Sequence, residues 1–223
     1  MAELAGETRH EAVHRALVER LAANLRPVRR IWPVRVRLAI WLAVALAVAI
    51  YVSTFPRRDI APMLATPAYL LEIALLLSAG AIAAMLALRS AIPGREPGAI
   101  ELAIPILLFG AAAAIVLRML SLSSMAGLRF ADWWCVRHTF LFAVLPWTAL
   151  GFAVWRGAPL LRGAAGLMMG LAAFLFSLAM MRVACPVDEP THVILWHDMP
   201  ALLGIIASVG LGYFGLRRLR RRV

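Results

Sequence analysis

The chain has 223 residues, of which 63% are hydrophobic and 16% charged, and its mean hydropathy is +0.83. Soluble domains are about half apolar and about a quarter charged, so this composition excludes an ordinary soluble domain and, equally, a disordered chain. The net charge is +11, all 23 basic residues are arginine, and two cysteines exclude a disulfide scaffold, allowing at most one bridge.

Residues 1–35 are the one sizeable polar segment. Thr8 and Glu11 have the spacing of a helix capping box. Val13, Leu17, Leu21 and Leu25 then recur every four residues, along one face of a helix. Glu11 and Arg15 form an i,i+4 pair of the favourable order. Pro27 stops this helix, and Pro33 breaks the chain again before the apolar part begins. A lone helix of about 18 residues is marginal in water, because most helical stability comes from packing. The leucine stripe therefore needs a surface: the bilayer interface, the chain's own loops, or a partner protein's groove.

Six apolar runs follow, at 38–55, 69–88, 102–117, 139–155, 163–181 and 199–216. Each is close to the length of about 20 residues that crosses a bilayer as a helix. Together they leave no polar shell with which a soluble fold could cover them. About 37 residues precede the first run, more than the basic leader of a signal peptide. The expected fold is all-α: a polytopic membrane bundle of six transmembrane helices over 36–216. A short cytoplasmic amphipathic helix within 1–35 precedes it, and an arginine-rich tail, 217–223, follows.

Six spans place both ends on one side. That side carries 17 of the 23 arginines and the other carries 6. Arginine collects in cytoplasmic loops, so both termini are expected in the cytoplasm of a bacterial inner membrane. The positive charge is thereby explained without direct nucleic-acid binding, and the C-terminal arginines suit anionic lipid headgroups.

The third loop, 121–138, and the fifth, 182–198, then face outward. They hold both cysteines, Cys135 and Cys185, and three of the five histidines, His138, His192 and His197. Two thiolates with imidazoles suit a soft or borderline ion such as copper(I) or zinc(II). A structural disulfide and inert buried cysteines remain as alternatives. Tryptophans such as Trp133, Trp134 and Trp196 read as interfacial anchors. Glu72 is an ionisable group within a span, only about one turn from its start, near enough to reach the outer interface. No phosphate-binding loop, nucleophile elbow, zinc-protease motif or C-x-x-C pair is present, so the chain is not expected to be an enzyme.

The stretch Leu17-Val18-Glu19-Arg20-Leu21-Ala22-Ala23-Asn24-Leu25-Arg26-Pro27-Val28-Arg29 resembles the N-terminal signature of NrsF-like membrane anti-sigma factors, with Asn24 in place of the usual aspartate. The likeness continues through six spans, Trp134-Cys135, and Cys185-Pro186-Val187-Asp188-Glu189-Pro190-Thr191-His192 running on to Trp196-His197. The resemblance implies an inner-membrane protein that holds an extracytoplasmic-function (ECF) sigma factor inactive through its N-terminal helix. Val13, Leu17, Leu21, Leu25, Arg20, Arg26 and Arg29 would form that contact. It also implies release of the sigma factor when the two outward cysteines meet a heavy metal or an oxidant. A small metal-handling permease with Glu72 in its path and a membrane thiol oxidoreductase are the competing readings.

Overall fold

A computed structural model of the chain describes residues 2–23, 31–122, 133–157 and 159–220, which are helical without strands. The chain divides into two compact units, Met1–Ile31 and Trp32–Val223.

The first unit contains helix α1, Ala2–Ala23. It begins earlier than the spacing of Thr8 and Glu11 suggests, and Thr8 lies inside it rather than at its cap. Ala2, Glu3, Leu4 and Ala5 are good helix formers, and the single Gly6 costs only about 1 kcal/mol. Val13, Leu17 and Leu21 are exposed. Leu25, Arg26, Pro27 and Arg29 lie outside the described residues.

The second unit runs α2 (Val34–Ser53), a short α3 (Ile60–Leu64), α4 (Pro67–Ser90), α5 (Ala99–Leu122), α6 (Trp133–Trp155), α7 (Arg162–Ala184) and α8 (Pro190–Val193). One π-helical turn (Ile194–Asp198) then leads into α9 (Met199–Arg220). Among the described residues, six helices are long and apolar enough to cross a membrane: α2, α4, α5, α6, α7 and the continuous stretch Pro190–Gly215. Leu46, Ile50, Leu107, Leu145, Leu203 and Phe214 are exposed on this unit. Such a surface would drive aggregation in water and is solvated by lipid in a bilayer. The chain is a multi-pass membrane protein.

Several helices extend beyond their apolar runs. α2 begins at Val34, α6 at Trp133 and the last span at Pro190. A hydropathy criterion stops at the first polar residues, whereas backbone hydrogen bonding continues through Arg35, Arg37, Arg137, His138 and His192. The expected fifth loop is therefore largely helical, the described part of the third, 121–122 and 133–138, is helical too, and Cys135 and His138 sit in the first turns of α6.

Helix α7 is the axis of the bundle. Its hydrophobic window is 89% buried, against 44% for the next most buried span, and it packs on α4, α6 and α9. Lipid tails are as apolar as leucine, so close packing of small residues must hold such helices together. Gly166 and Gly170 on α7 face Ser208 and Gly212 on α9, each pair four residues apart. A Cβ on Gly166 would stand 2.4 Å from the Ser208 carbonyl oxygen. Ser208 is fixed in turn: its hydroxyl donates to Gly204 O at 2.8 Å and accepts from Trp147 Nε1 at 2.9 Å.

The end of the bundle where α2 begins is closed by Arg37. This buried guanidinium donates to Leu88 O at 3.2 Å and Ala153 O at 3.3 Å, last-turn carbonyls of α4 and α6. Those carbonyls lack an intrahelical partner and carry the negative end of the helix dipole.

The α7–α9 seam makes a testable prediction. Gly166→Ala forces overpacking that typically costs about 1–3 kcal/mol and should lower the thermal midpoint of the detergent-solubilised protein. Gly210→Ala, where nothing stands within 4 Å, should leave that midpoint unchanged or higher.

Candidate metal centre

At the end of the bundle opposite Arg37, α7 finishes at Ala184 and Cys185 caps it in an extended conformation, its N–H donating to Met181 O at 2.8 Å. Pro186 and Pro190 keep the intervening segment from continuing the helix. Pro190 then opens α8, which carries His192, and the π-helical turn carries His197. A π-turn inserts an extra residue per turn and re-aims the side chains that follow, as is frequent at functional sites. Cys135 approaches from the first turn of α6. That turn is tied to α7 by Thr139 Oγ1 donating to Cys135 O at 2.9 Å and Ser177 Oγ donating to Thr139 O at 2.6 Å.

Ligand atoms of Cys135, Cys185, His192 and His197 all lie within 4.8 Å of one another, and all four residues are buried. The sulfurs are 3.7 Å apart, and His192 Nε2 is 3.5 Å from each. Both cysteines are free, since a disulfide requires about 2.05 Å. A tetrahedral site with metal–sulfur bonds of about 2.3 Å and metal–nitrogen bonds of about 2.05 Å has edges of about 3.8 Å between sulfurs and about 3.6 Å between sulfur and nitrogen. The observed separations match those edges.

His197 supplies a second indication. It is 1% exposed, and neither ring nitrogen has a hydrogen-bond partner. A buried polar atom without a partner costs about 1–3 kcal/mol, and a cation among these four side chains would satisfy one of the two nitrogens. The Cys185 thiol is pulled well below its ordinary pKa. The hydrogen bond from Cys135 is the main cause, and the His192 and His197 imidazoles favour the charged sulfur against the opposing effect of burial. A thiolate is the form that ligates metals. The four side chains form a Cys2His2 cluster able to hold a metal ion.

His138, expected to share this chemistry, is not brought into the cluster. Its Nδ1 lies 2.7 Å from Trp134 O and its ring stacks on Trp134 at 3.9 Å. It lies one turn beyond Trp134, at i+4, and that spacing stacks its ring on the tryptophan rather than on the thiols. Nor are the two cysteines displayed outward on loops: each is 3% exposed.

Beside the cluster lies an ionic network that sequence reasoning largely missed. Glu72, expected near the outer interface, is buried and pairs with Arg182 of α7, Nε to Oε1 3.0 Å. Arg182 Nη1 also donates to Asp188 Oδ1 at 2.9 Å, and Tyr69 OH donates to the Arg182 carbonyl at 2.8 Å. Arg57 has no exposed side-chain surface and grips Asp188 through both terminal nitrogens. It also donates to both oxygens of Asp59, at 2.7 Å each, and to Pro186 O at 3.2 Å. Its own N–H donates to Val183 O at 3.0 Å. The one sequence signal for this network is that charged residues at the ends of apolar runs must find partners.

On α1, Arg20 is exposed together with Val13, Leu17 and Leu21.

The family model described as negative regulator of sigma F, NrsF, matches residues 21–221, nearly the whole chain. No curated protein and no solved structure matches it. The chain belongs to the NrsF family of negative regulators of sigma F.

Proposed function

We propose that this chain is an inner-membrane anti-sigma factor that sequesters an ECF sigma factor through α1 and releases it when a metal ion or an oxidant reaches Cys135 and Cys185. The observation that carries the sensing half is the gathering of two thiols and two imidazoles within 4.8 Å, with the sulfurs and His192 at tetrahedral edge lengths and the buried His197 nitrogens without a hydrogen bond. The family match supports the sigma-factor half.

In this reading both termini are cytoplasmic, following the arginine asymmetry, and the Cys2His2 cluster lies at the periplasmic end. Val13, Leu17 and Leu21, continued by Leu25, lie along a groove of the sigma factor, while Arg20, Arg26 and Arg29 meet its acidic rim. Cys135, Cys185, His192 and His197 would hold the ion, which supplies four strong bonds joining α6 to the α7–α9 connection. Zinc(II) and copper(I) both accept such a soft, tetrahedral donor set. An oxidant that removes two electrons and two protons would instead join the sulfurs, which are already in contact. Either event favours one packing of the bundle over another, and a ligand shifts such an equilibrium only by its differential affinity for the two states. Glu72, the group a permease path would use, is instead paired with Arg182.

Detergent extraction tests both halves. Wild type should co-purify with its sigma factor and release it on addition of zinc or copper(I). Leu17→Asp/Leu21→Asp should never capture the sigma factor, and Cys135→Ser or Cys185→Ser should capture it but not respond. Retention by the leucine double variant would show that α1 is not the docking element. Orientation is checked by alkaline phosphatase fusions, which should be active after Pro190 and inactive after Arg95; the reverse pattern would invert the scheme.

A further inference from the structure

The α7–α9 connection that supplies Cys185 is not held by the cluster alone. It is gripped from outside by Arg57, whose guanidinium contacts Pro186 O and Asp188, one and three residues beyond the cysteine. Arg57 lies in the turn that leaves α2, four residues after its last helical residue. Its backbone N–H bonds Val183 O, two residues before Cys185. The same short segment, 183–188, is therefore fastened at both ends to one side chain and its own backbone, with Cys185 between the fastenings. The charges fit this role. Asp59 and Asp188 neutralise Arg57 while Arg182 shares Asp188, so the clamp is a closed set of hydrogen bonds with no exposed guanidinium surface. Arginine suits this position because its planar fork can serve two carboxylates and a carbonyl together, as a lysine ammonium cannot.

Resting on the reading above, we propose that Arg57 is the positioning residue that reports occupancy of the Cys2His2 cluster to α2. Among the described helices of the bundle, α2 is the one that directly follows the N-terminal segment in the chain. When Cys185 is drawn into a bonded site, Pro186 and Asp188 move with it. The Arg57 clamp then transmits that movement to the end of α2 as a rigid hydrogen-bonded unit. α2 packs against α4, α6 and α7, so a shift at one end must be accommodated along its length. Arg57 touches no ligand atom of the cluster; its effect is exerted through the segment it holds.

The experiment compares wild type, Arg57→Gln and Asp188→Asn in detergent with the sigma factor bound. Cobalt(II) serves as the probe, and two quantities are read: the cobalt thiolate absorption, which reports occupancy and geometry, and the drop in sigma affinity when cobalt binds. Allosteric couplings are typically about 5–150-fold. Wild type should show a drop in that range, while both variants keep the tetrahedral cobalt spectrum and capture the sigma factor but show less than about a twofold drop. Variants that bind cobalt and release the sigma factor as wild type does would overturn the proposal. So would loss of the cobalt spectrum in both, since Arg57 would then build the site rather than report on it. If Arg57→Gln fails to accumulate, Asp188→Asn decides alone, because it leaves Arg57 its bonds to Asp59 and Pro186. Absence of cobalt-induced release in wild type would instead strike the sensor reading itself.

Discussion

Every polar group withdrawn from water inside a membrane bundle must find its partner within the protein, and the end of α7 is organised by that demand. Arg57, Glu72, Arg182, Cys135, Cys185, His192 and His197 are all buried there. The charged members satisfy one another through Asp59 and Asp188. The thiols and His192 contact each other, and His197 packs edge-on against His192 with neither ring nitrogen hydrogen-bonded. A buried imidazole whose nitrogens make no hydrogen bond, beside two thiols and a second imidazole, is what makes the cluster read as a ligand site rather than as polar residues sharing a helix end.

α7 is held at both ends. Near its start, toward the Arg37 end, it meets α9 through Gly166, Gly170, Ser208 and Gly212 at backbone contact distance, and close contacts of that kind do not deform gradually. Cys135 is tied to α7 through Thr139 and Ser177, and Cys185 is the cap of α7 itself. Both sulfurs are thus referred to one helix, while the histidines arrive from the far side of the Pro186–Pro190 segment. A bond formed across the cluster therefore links the rigid axis to the connection gripped by Arg57. In the proposed scheme this is the point where a chemical event outside becomes a mechanical one.

Much of this was legible in the sequence, for physical reasons. Six apolar runs near bilayer length can form little else than a helical membrane bundle, and the Cys-Pro…His…Trp-His block marked the chemistry. The structure moved the boundaries. Cys135 and His192 lie in helices because hydrogen bonding does not stop where hydropathy does, and α1 runs back to Ala2 because alanine and leucine propagate a helix past Thr8. His138 was read as a site residue because it is close in sequence to Cys135; one helical turn carries it onto Trp134 instead. The ion network was invisible because Arg57 and Glu72 are more than a hundred residues from Arg182 and Asp188 in the chain, and no period or motif joins them. The π-turn that aims His197 has no sequence signature.

The central claim is that Cys135, Cys185, His192 and His197 hold one metal ion between them. X-ray absorption of the full-length protein loaded with one equivalent of zinc tests it most directly. The account predicts two sulfurs at about 2.3 Å and two imidazole nitrogens at about 2.0 Å around the metal, with one nitrogen lost from the shell in His197→Ala. A shell of oxygens and nitrogens without sulfur, or one unchanged in His197→Ala, would contradict it.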